Sequence, residues 1–567
     1  MPEYDPILLE VLWNRLRSIA DEQAKALMRA SFTPLVRDAE DLACGIFDRA
    51  GNMLVQSVTG TAGHINSLAT GIKHFLKAYP PETLRPGDVL ITNDPWKVSG
   101  HKHDITVVIP VFRGKTYVGL TGSTCHVLDV GGRILSAEAT DVYEEGIEIP
   151  IMKLFKRGRP NEDLFTIIRE NVRQPEAVVG DILAYVAGNQ VGADKVIEFL
   201  DEYGLEDLEE VSRQILDKSE ETLRRALRAI PDGSGSFEMF LDGIDEPLRI
   251  AVRVEIRGAD ILVDYTGSSA QAPRGINSCF NYTHAYTTYG ISAAICPEIP
   301  ANDGMFRPIH CHAPEGCFLN PVFPAPVAAR HLTGHFTATA VWGALSHLIP
   351  ERIMADSCSV TIIPFVGITK EGRRFITSFF ASGGMGARAS KDGIPAKACP
   401  SNVSNTPVEV IESISPLFVT QKAFVPDSGG AGKYQGGPGQ VIGVKVLSPN
   451  PAVLSCMYDK VKAPPFGLMG GLPGRPTEIS IAGPQGVRFP HPKQKTSVEP
   501  GEEVTLKLAG GGGYGLPTER DPERVLRDVA FGIISREFAR EVYRVAVEGE
   551  PPRLNAEATR ALRGTTP

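Results

Sequence analysis

The sequence predicts a multi-domain α+β protein: a mixed α/β N-terminal region, then a β-rich region, then short C-terminal helices. Three observations lead there. A chain of 567 residues exceeds what one simple core organises and sets an expectation of about two to four domains. Its 57 glycines and 44 prolines supply the turns that β structure needs. Helical spacing dominates from Asn161 to Ile230, and strand-like alternation takes over after Asp232. The regions drawn from these patterns are 1–231, 232–508 and 509–567.

Each element follows from its own residues. Asp5-Pro6 reads as a helix cap followed by proline, and Leu9, Leu12, Leu16 and Ile19 then build one apolar face. "DLACGIFDRAGNMLVQ" reads as a hairpin, with two short β-like runs around a turn at Arg49–Asn52. "GHINSLATGIKHFLKAYP" reads as a helix that Pro80 ends. Residues 161–230 read as mostly helical, and "DLEEVSRQILDKSEETLRRALRAI" is the clearest amphipathic segment. "PDGSGS" breaks that pattern, and "FEMFLDGIDEPLRIAVRVEIRGADILVDYTGS" alternates as strands do. Up to Leu508 the chain then reads as strands and turns, apart from a helix around "TATAVWGALSHLI". "DPERVLRDVAFGII" and "SREFAREVYRVAV" read as two closing helices, and the residues from Asn555 on as a frayed tail.

Composition excludes some functions. A formal charge of -9 and a pI near 5.8 argue against a nucleic-acid backbone as partner. No uninterrupted apolar run approaches the roughly 20 residues that span a bilayer. The first residues carry acidic groups ahead of their apolar stretch, unlike a secretory signal. Nine cysteines, an odd number without a CxxC pair, fit a reducing compartment better than a disulfide framework. The expectation is a cytoplasmic protein with neither a nucleic-acid nor a membrane partner.

The chemistry concentrates in "NDPWKVSGHKHDITVV". "ITVVIPVF" (Ile105–Phe112) and "TYVGLTGSTCH" (Thr116–His126) are both β-like, and the "RGK" between them is a short turn. Pairing them as a hairpin centred on Gly114–Lys115 sets Asp104 opposite His126, with Cα atoms roughly 4.5–5.5 Å apart. His101 enters the same strand three residues earlier, so two imidazoles and a carboxylate converge at the open end of the hairpin. That ligand mix suits Zn²⁺, Mn²⁺ or Fe²⁺ with positions left open. Loop polarity or a simple hydrogen-bonded pair explains a His-x-x-Asp equally well, and His103, Asp94 and Asp129 compete as ligands. Cys44 and Cys125 flank the region but read as packing.

Two glycine-rich stretches do not read as nucleotide loops. "DSGGAGKY" (Asp427–Tyr434) has Asp427 where a P-loop needs its first glycine and Tyr434 where it needs Ser or Thr. "AGGGGYG" (Ala509–Gly515) follows no βαβ unit. Both read as tight turns or close backbone approaches. There is no GxSxG elbow and no Ser-His-Asp order to support a nucleophilic serine.

A set of ordered blocks carries a resemblance across nearly the whole chain. They include "RDAEDLACGIFDRAGNMLVQ", "GDVLITNDPW", "GHKHDITVVIPVF", "HVLDVGG" and "NDGMFRPIHCHAPEGCFLNPVFPAPVAAR". Further on come "SNVSNTPVEVIE", "DSGGAGKYQGGPG" and "GGGGYGLPTERDPERVLRDVAFGIISREFAREVY". The sequence resembles the B-type subunit of the hydantoinase/oxoprolinase family, which includes lactamase subunits and the corresponding subunits of acetone and acetophenone carboxylases. The resemblance implies one divalent metal, zinc or manganese, held by Asp41, His101, Asp104 and His126. Asp41 comes from the resemblance alone, and Glu40 beside it is a rival. His103 and Asp129 are the expected catalytic helpers, orienting ligands or carrying protons. Two departures stand out: Val127 replaces a usual second histidine, and His103 replaces a usual proline.

The resemblance also implies a hetero-oligomer with an A-type subunit of actin-like ATPase fold, which would bind the ATP. The expected reaction is ATP-dependent opening of a hydantoin, 5-oxoproline or lactam ring. Carboxylation of a ketone and a non-catalytic metal-stabilised scaffold are the alternatives. Tyr282, His284 and Tyr286 are candidates to line a substrate pocket.

Overall fold

A computed structural model describes residues 4–564. The chain divides by packing into two compact units, Met1–Glu238 with Arg249–Ala344, and Met239–Leu248 with Leu345–Pro567. The compositional change at Asp232 falls inside the first unit, where helices give way to strands.

The first unit is organised by a seven-stranded antiparallel sheet of order β2-β1-β5-β4-β3-β6-β7. Its strands are β1 (Leu42–Phe47), β2 (Met53–Gln56), β3 (Val89–Thr92), β4 (Asp104–Arg113), β5 (Thr116–His126), β6 (Met152–Lys156) and β7 (Arg159–Pro160). The predicted first hairpin is β1–β2, and the predicted second is β4–β5, with Asp104 paired to His126. A bulge between Val111 and Phe112 shortens the register by one residue near the turn.

Both faces of this sheet are covered, which is why β4 reads as a nearly continuous apolar run. Ile105, Val107, Ile109 and Val111 pack on one face with the helices Pro6–Ala30 and Pro175–Glu202. Val108 and Leu120 pack on the other with the helix Ala62–Ala78. Asp5 caps the first helix by accepting from Ile7 N (2.9 Å), as the cap-then-proline pattern predicts. The two long helices approach closely because Gly180, Gly188 and Gly192 lie on the contact face of Pro175–Glu202, where Phe32, Leu27 and Gln23 press against them.

The predicted helical stretch 161–230 is three helices, Glu162–Asn171, Pro175–Glu202 and Glu209–Arg228. Strands β8 (Gly233–Leu241), β9 (Leu248–Arg257) and β10 (Asp260–Asp264) follow, and with β11 (Ile309–His312) they form a four-stranded sheet. The structure adds a helix, Phe280–Ile295, to a stretch read as strands and turns. Its sequence is rich in Thr and Tyr, whose helix propensity is poor, and burial against the helix Ala62–Ala78 overrides that preference. The predicted helix near "TATAVWGALSHLI" is Phe336–Leu345.

In the second unit a four-stranded and a five-stranded sheet share one core. Phe365, Phe379 and Leu454 come from the first sheet, and Ile442, Ile481 and Leu506 from the second. The two glycine-rich stretches lie side by side here, with Gly430 N donating to Gly511 O (2.8 Å) and Tyr434 and Tyr514 exchanging backbone hydrogen bonds (3.0 and 2.9 Å). A Cβ on Gly436 would sit 1.9 Å from Gly511 O, so no larger residue fits. They are close backbone approaches.

The closing helices are Pro522–Ala530 and Arg536–Glu541, the second shorter than its pattern predicts. Arg544, with φ 57°, turns the chain out of helical geometry. The frayed tail expected from Asn555 on is corrected by a helix at Ala556–Gly564, with Asn555 Oδ1 capping Ala558 N at 2.9 Å. Residues 565–567 of that tail lie outside the described residues.

Candidate metal centre

Three side chains predicted from the hairpin register meet at its open end. One donor atom from each of His101, Asp104 and His126 lies within 4.8 Å of the others, and all three residues are buried. Asp104 Oδ1 is 2.7 Å from His101 Nε2 and 3.0 Å from His126 Nδ1. Cross-strand pairing puts Asp104 and His126 on one sheet face, and the Thr106–Thr124 hydroxyl pair (2.8 Å) continues the row. His101 reaches the cluster from the loop before β4. Gly100 in that loop has φ 87°, and a Cβ there would lie 2.8 Å from Arg330 Cδ, so both conformation and space require glycine.

The tautomer of His101 tests whether a cation fits. Its Nδ1 faces the Ala328 carbonyl at 2.8 Å, and a carbonyl only accepts, so Nδ1 carries the proton. Burial and the charge of Arg330 push the ring pKa down to about 4, so the ring is neutral. Nε2 then directs a bare lone pair at a carboxylate oxygen 2.7 Å away and has no hydrogen-bond partner among the described residues. Burial alone would raise the Asp104 pKa, but the neighbouring His64 and the Arg330 guanidinium hold the carboxyl well below the usual range. Two facing lone pairs in a dry site repel, and a metal ion between them removes the repulsion. The donor set, imidazole nitrogens and a carboxylate oxygen, is that of zinc or manganese.

Asp41 stands beside this cluster. Its Oδ2 is 3.9 Å from His126 Nδ1 and its Oδ1 is 3.5 Å from His64 Nδ1. Of the two acidic neighbours Asp41 is buried and Glu40 half-buried. The His103 ring stacks on His126 with centroids 5.7 Å apart, and its buried Nδ1 has no hydrogen-bond partner among the described residues. Asp129 is engaged elsewhere, accepting from Arg173 Nη1 (2.6 Å), Arg173 N (2.5 Å) and Gly131 N (3.1 Å). Asp94 pairs with Lys97 (2.5 Å) and lies outside the cluster. Cys44 and Cys125 are buried in the sheet, and burial raises both thiol pKa values.

Three residues that sequence reasoning passed over complete the surroundings. His64, on the helix Ala62–Ala78, places Nε2 2.9 Å from Asp104 Oδ2 and so spans both carboxylates. Arg330 donates to Asp104 Oδ2 and to Ser99 O, and its guanidinium lies 3.8 Å over the Tyr282 ring. His331 follows it, buried, and among the described residues neither ring nitrogen has a hydrogen-bond partner. Burial pushes its pKa well below the ordinary histidine range, so the ring is neutral. Of the proposed pocket residues, Tyr282 touches this site through Arg330 and Tyr286 packs on Tyr282, whereas His284 packs on Phe280 and Phe306. Only a segment-to-segment contact could have revealed Arg330 and His331, which lie more than 200 residues from the hairpin.

The family described as hydantoinase B/oxoprolinase matches residues 5–517 of this chain. The B-type subunit of a putative D-/L-hydantoinase from Pseudomonas sp. (strain NS671) is 32% identical, over 99% of this chain and 98% of its own. The crystal structure of an ATP-dependent caprolactamase from Pseudomonas jessenii aligns with a TM-score of 0.88 and 27% identity, covering 100% of both chains. A nucleotide-free acetone carboxylase structure also reaches 0.88, at 20% identity, over 99% of this chain and 82% of that one, a likeness of fold.

Proposed function

The chain belongs to the hydantoinase B/oxoprolinase family, and from that premise we propose that it is the metal-holding B-type subunit of an ATP-dependent amidohydrolase. Its substrate is a small cyclic amide: a hydantoin, 5-oxoproline or a lactam. The observation that carries this reading is the buried meeting of His101, Asp104 and His126 in a chain similar over its full length to a hydantoinase subunit and to a caprolactamase. His101, Asp104 and His126 would hold the ion, with Asp41 as the fourth ligand. A divalent ion bound there would supply Lewis acidity.

The chain's own residues do the rest. Arg330 and Ser99 fix the Asp104 carboxylate from its outer oxygen. Asp129, locked to Arg173, holds the turn that follows His126. Opening a cyclic amide breaks the C–N bond, adds a hydroxyl to carbon and delivers a proton to nitrogen. His103, stacked on His126, and His331, which follows Arg330, are buried imidazoles with nitrogens unpartnered among the described residues, and they carry that proton. ATP is used by an A-type partner of actin-like ATPase fold, a division of labour consistent with glycine-rich stretches that pack on backbone rather than cradle phosphate.

Co-purifying the chain with its A-type partner, and following ATP consumption across cyclic amides and ketones with and without bicarbonate, tests the reading. ATP use that depends on one cyclic amide and ignores bicarbonate is expected. Strict bicarbonate dependence with a ketone, and no cyclic amide turned over, would replace it with carboxylation.

A further inference from the structure

The segment Pro321–Arg330, "PVFPAPVAAR", lies far from the hairpin in sequence yet holds two of its ligand residues in place. The Ala328 carbonyl fixes His101, and Arg330 holds Asp104. Prolines at 321, 324 and 326 remove three backbone N–H groups, the segment forms no strand, and its remaining backbone groups depend on other partners. Those partners are specific. Asn277 Nδ2 donates to Pro326 O (2.9 Å), Ala329 N donates to Gly275 O (2.7 Å), and Trp96 Nε1 donates to Pro321 O (3.1 Å).

At the point that matters most, a single carboxyl oxygen does the anchoring. Glu145 Oε1 accepts from Val327 N (2.6 Å) and from Ala328 N (2.8 Å). Two hydrogen bonds and one close approach run in line: Ala328 N donates to Glu145 Oε1, His101 Nδ1 donates to Ala328 O, and His101 Nε2 faces the Asp104 oxygen 2.7 Å away.

We propose that Glu145 is a positioning residue for the metal centre, fixing the Ala328 carbonyl that orients His101 and thereby setting metal affinity. This rests on the metal reading above. Outer partners of a metal-bound histidine fix its tautomer and aim, and losing one typically costs about 10–100-fold in affinity. Glu145 acts one bond further out, through the backbone of Ala328. Burial pushes its pKa up to about 8, so near neutral pH the group is mainly the uncharged acid. Its work is therefore done by an accepting oxygen, and the amide of glutamine offers the same oxygen at the same place.

The experiment is a Zn²⁺ competition titration against a chromophoric chelator, on the full chain, with circular dichroism as a folding control. Glu145→Ala is expected to weaken Zn²⁺ binding by about 10-fold or more with the fold intact, and Glu145→Gln to stay within a few-fold of wild type. If Glu145→Ala does not fold, Glu145→Asp, which withdraws the oxygen by one methylene, carries the same expected loss. Wild-type affinity in the folded Ala or Asp variant would overturn the inference. So would a Gln variant as weak as Ala, because charge rather than placement would then be at work. A wild-type chain that binds no Zn²⁺ would defeat the metal reading itself, and this inference with it.

Discussion

Asp104 is the residue on which the site turns. Five groups converge on its two oxygens: His101 and His126 on Oδ1, and His64, Ser99 and Arg330 on Oδ2. Removing one member of a buried charge pair leaves the other uncompensated, at a cost of about 3–5 kcal/mol. Arg330→Met in metal-free protein should therefore lower the thermal midpoint clearly, as differential scanning calorimetry would show. An unchanged midpoint would mean that the pair contributes nothing to folding. His331 belongs to a different class, since among the described residues no group hydrogen-bonds either ring nitrogen. His331→Ala should keep its metal and lose about 100-fold or more in amide-dependent ATP turnover, the range of a lost general acid or base. Metal content and turnover measured on one preparation separate this from a ligand role, in which both would fall together.

At the scale of elements, the site depends on a hairpin whose register is legible from sequence and on supports that are not. β4 and β5 read as two β-like runs joined by a short turn, so counting residues across it pairs Asp104 with His126, as observed. Asp41 lies outside that count and is reachable only through the family resemblance. His64, Arg330 and Glu145 are not legible, because each arrives by tertiary packing of a helix or a proline-rich segment that no local period announces. The helix Phe280–Ile295 is hidden for a related reason, since burial overrides its weak intrinsic preference. Helix contacts supply a sharper test. Alanine normally stabilises a helix relative to glycine by about 1 kcal/mol. At Gly188 the added Cβ would meet Leu27 Cβ at 2.5 Å and Cα at 3.0 Å, atoms that cannot swing aside. Overpacking of this kind costs about 1–3 kcal/mol, so Gly188→Ala should lower the thermal midpoint. A rise would show that the two helices have slack between them.

For the whole molecule, we assign metal chemistry to this chain and nucleotide chemistry to a partner. The isolated chain should consume no ATP with any cyclic amide, and consumption should appear when the A-type subunit is added, as a coupled ADP assay would report. ATP turnover by the chain alone would end that division. Beneath it lies the central claim, that His101, Asp104 and His126 form one metal site. Elemental analysis of the purified chain beside His101→Ala and His126→Ala tests it most directly. Close to one zinc or manganese per wild-type chain, with a marked loss of it in each folded variant, is the predicted result; metal content equal to wild type in both variants would contradict it.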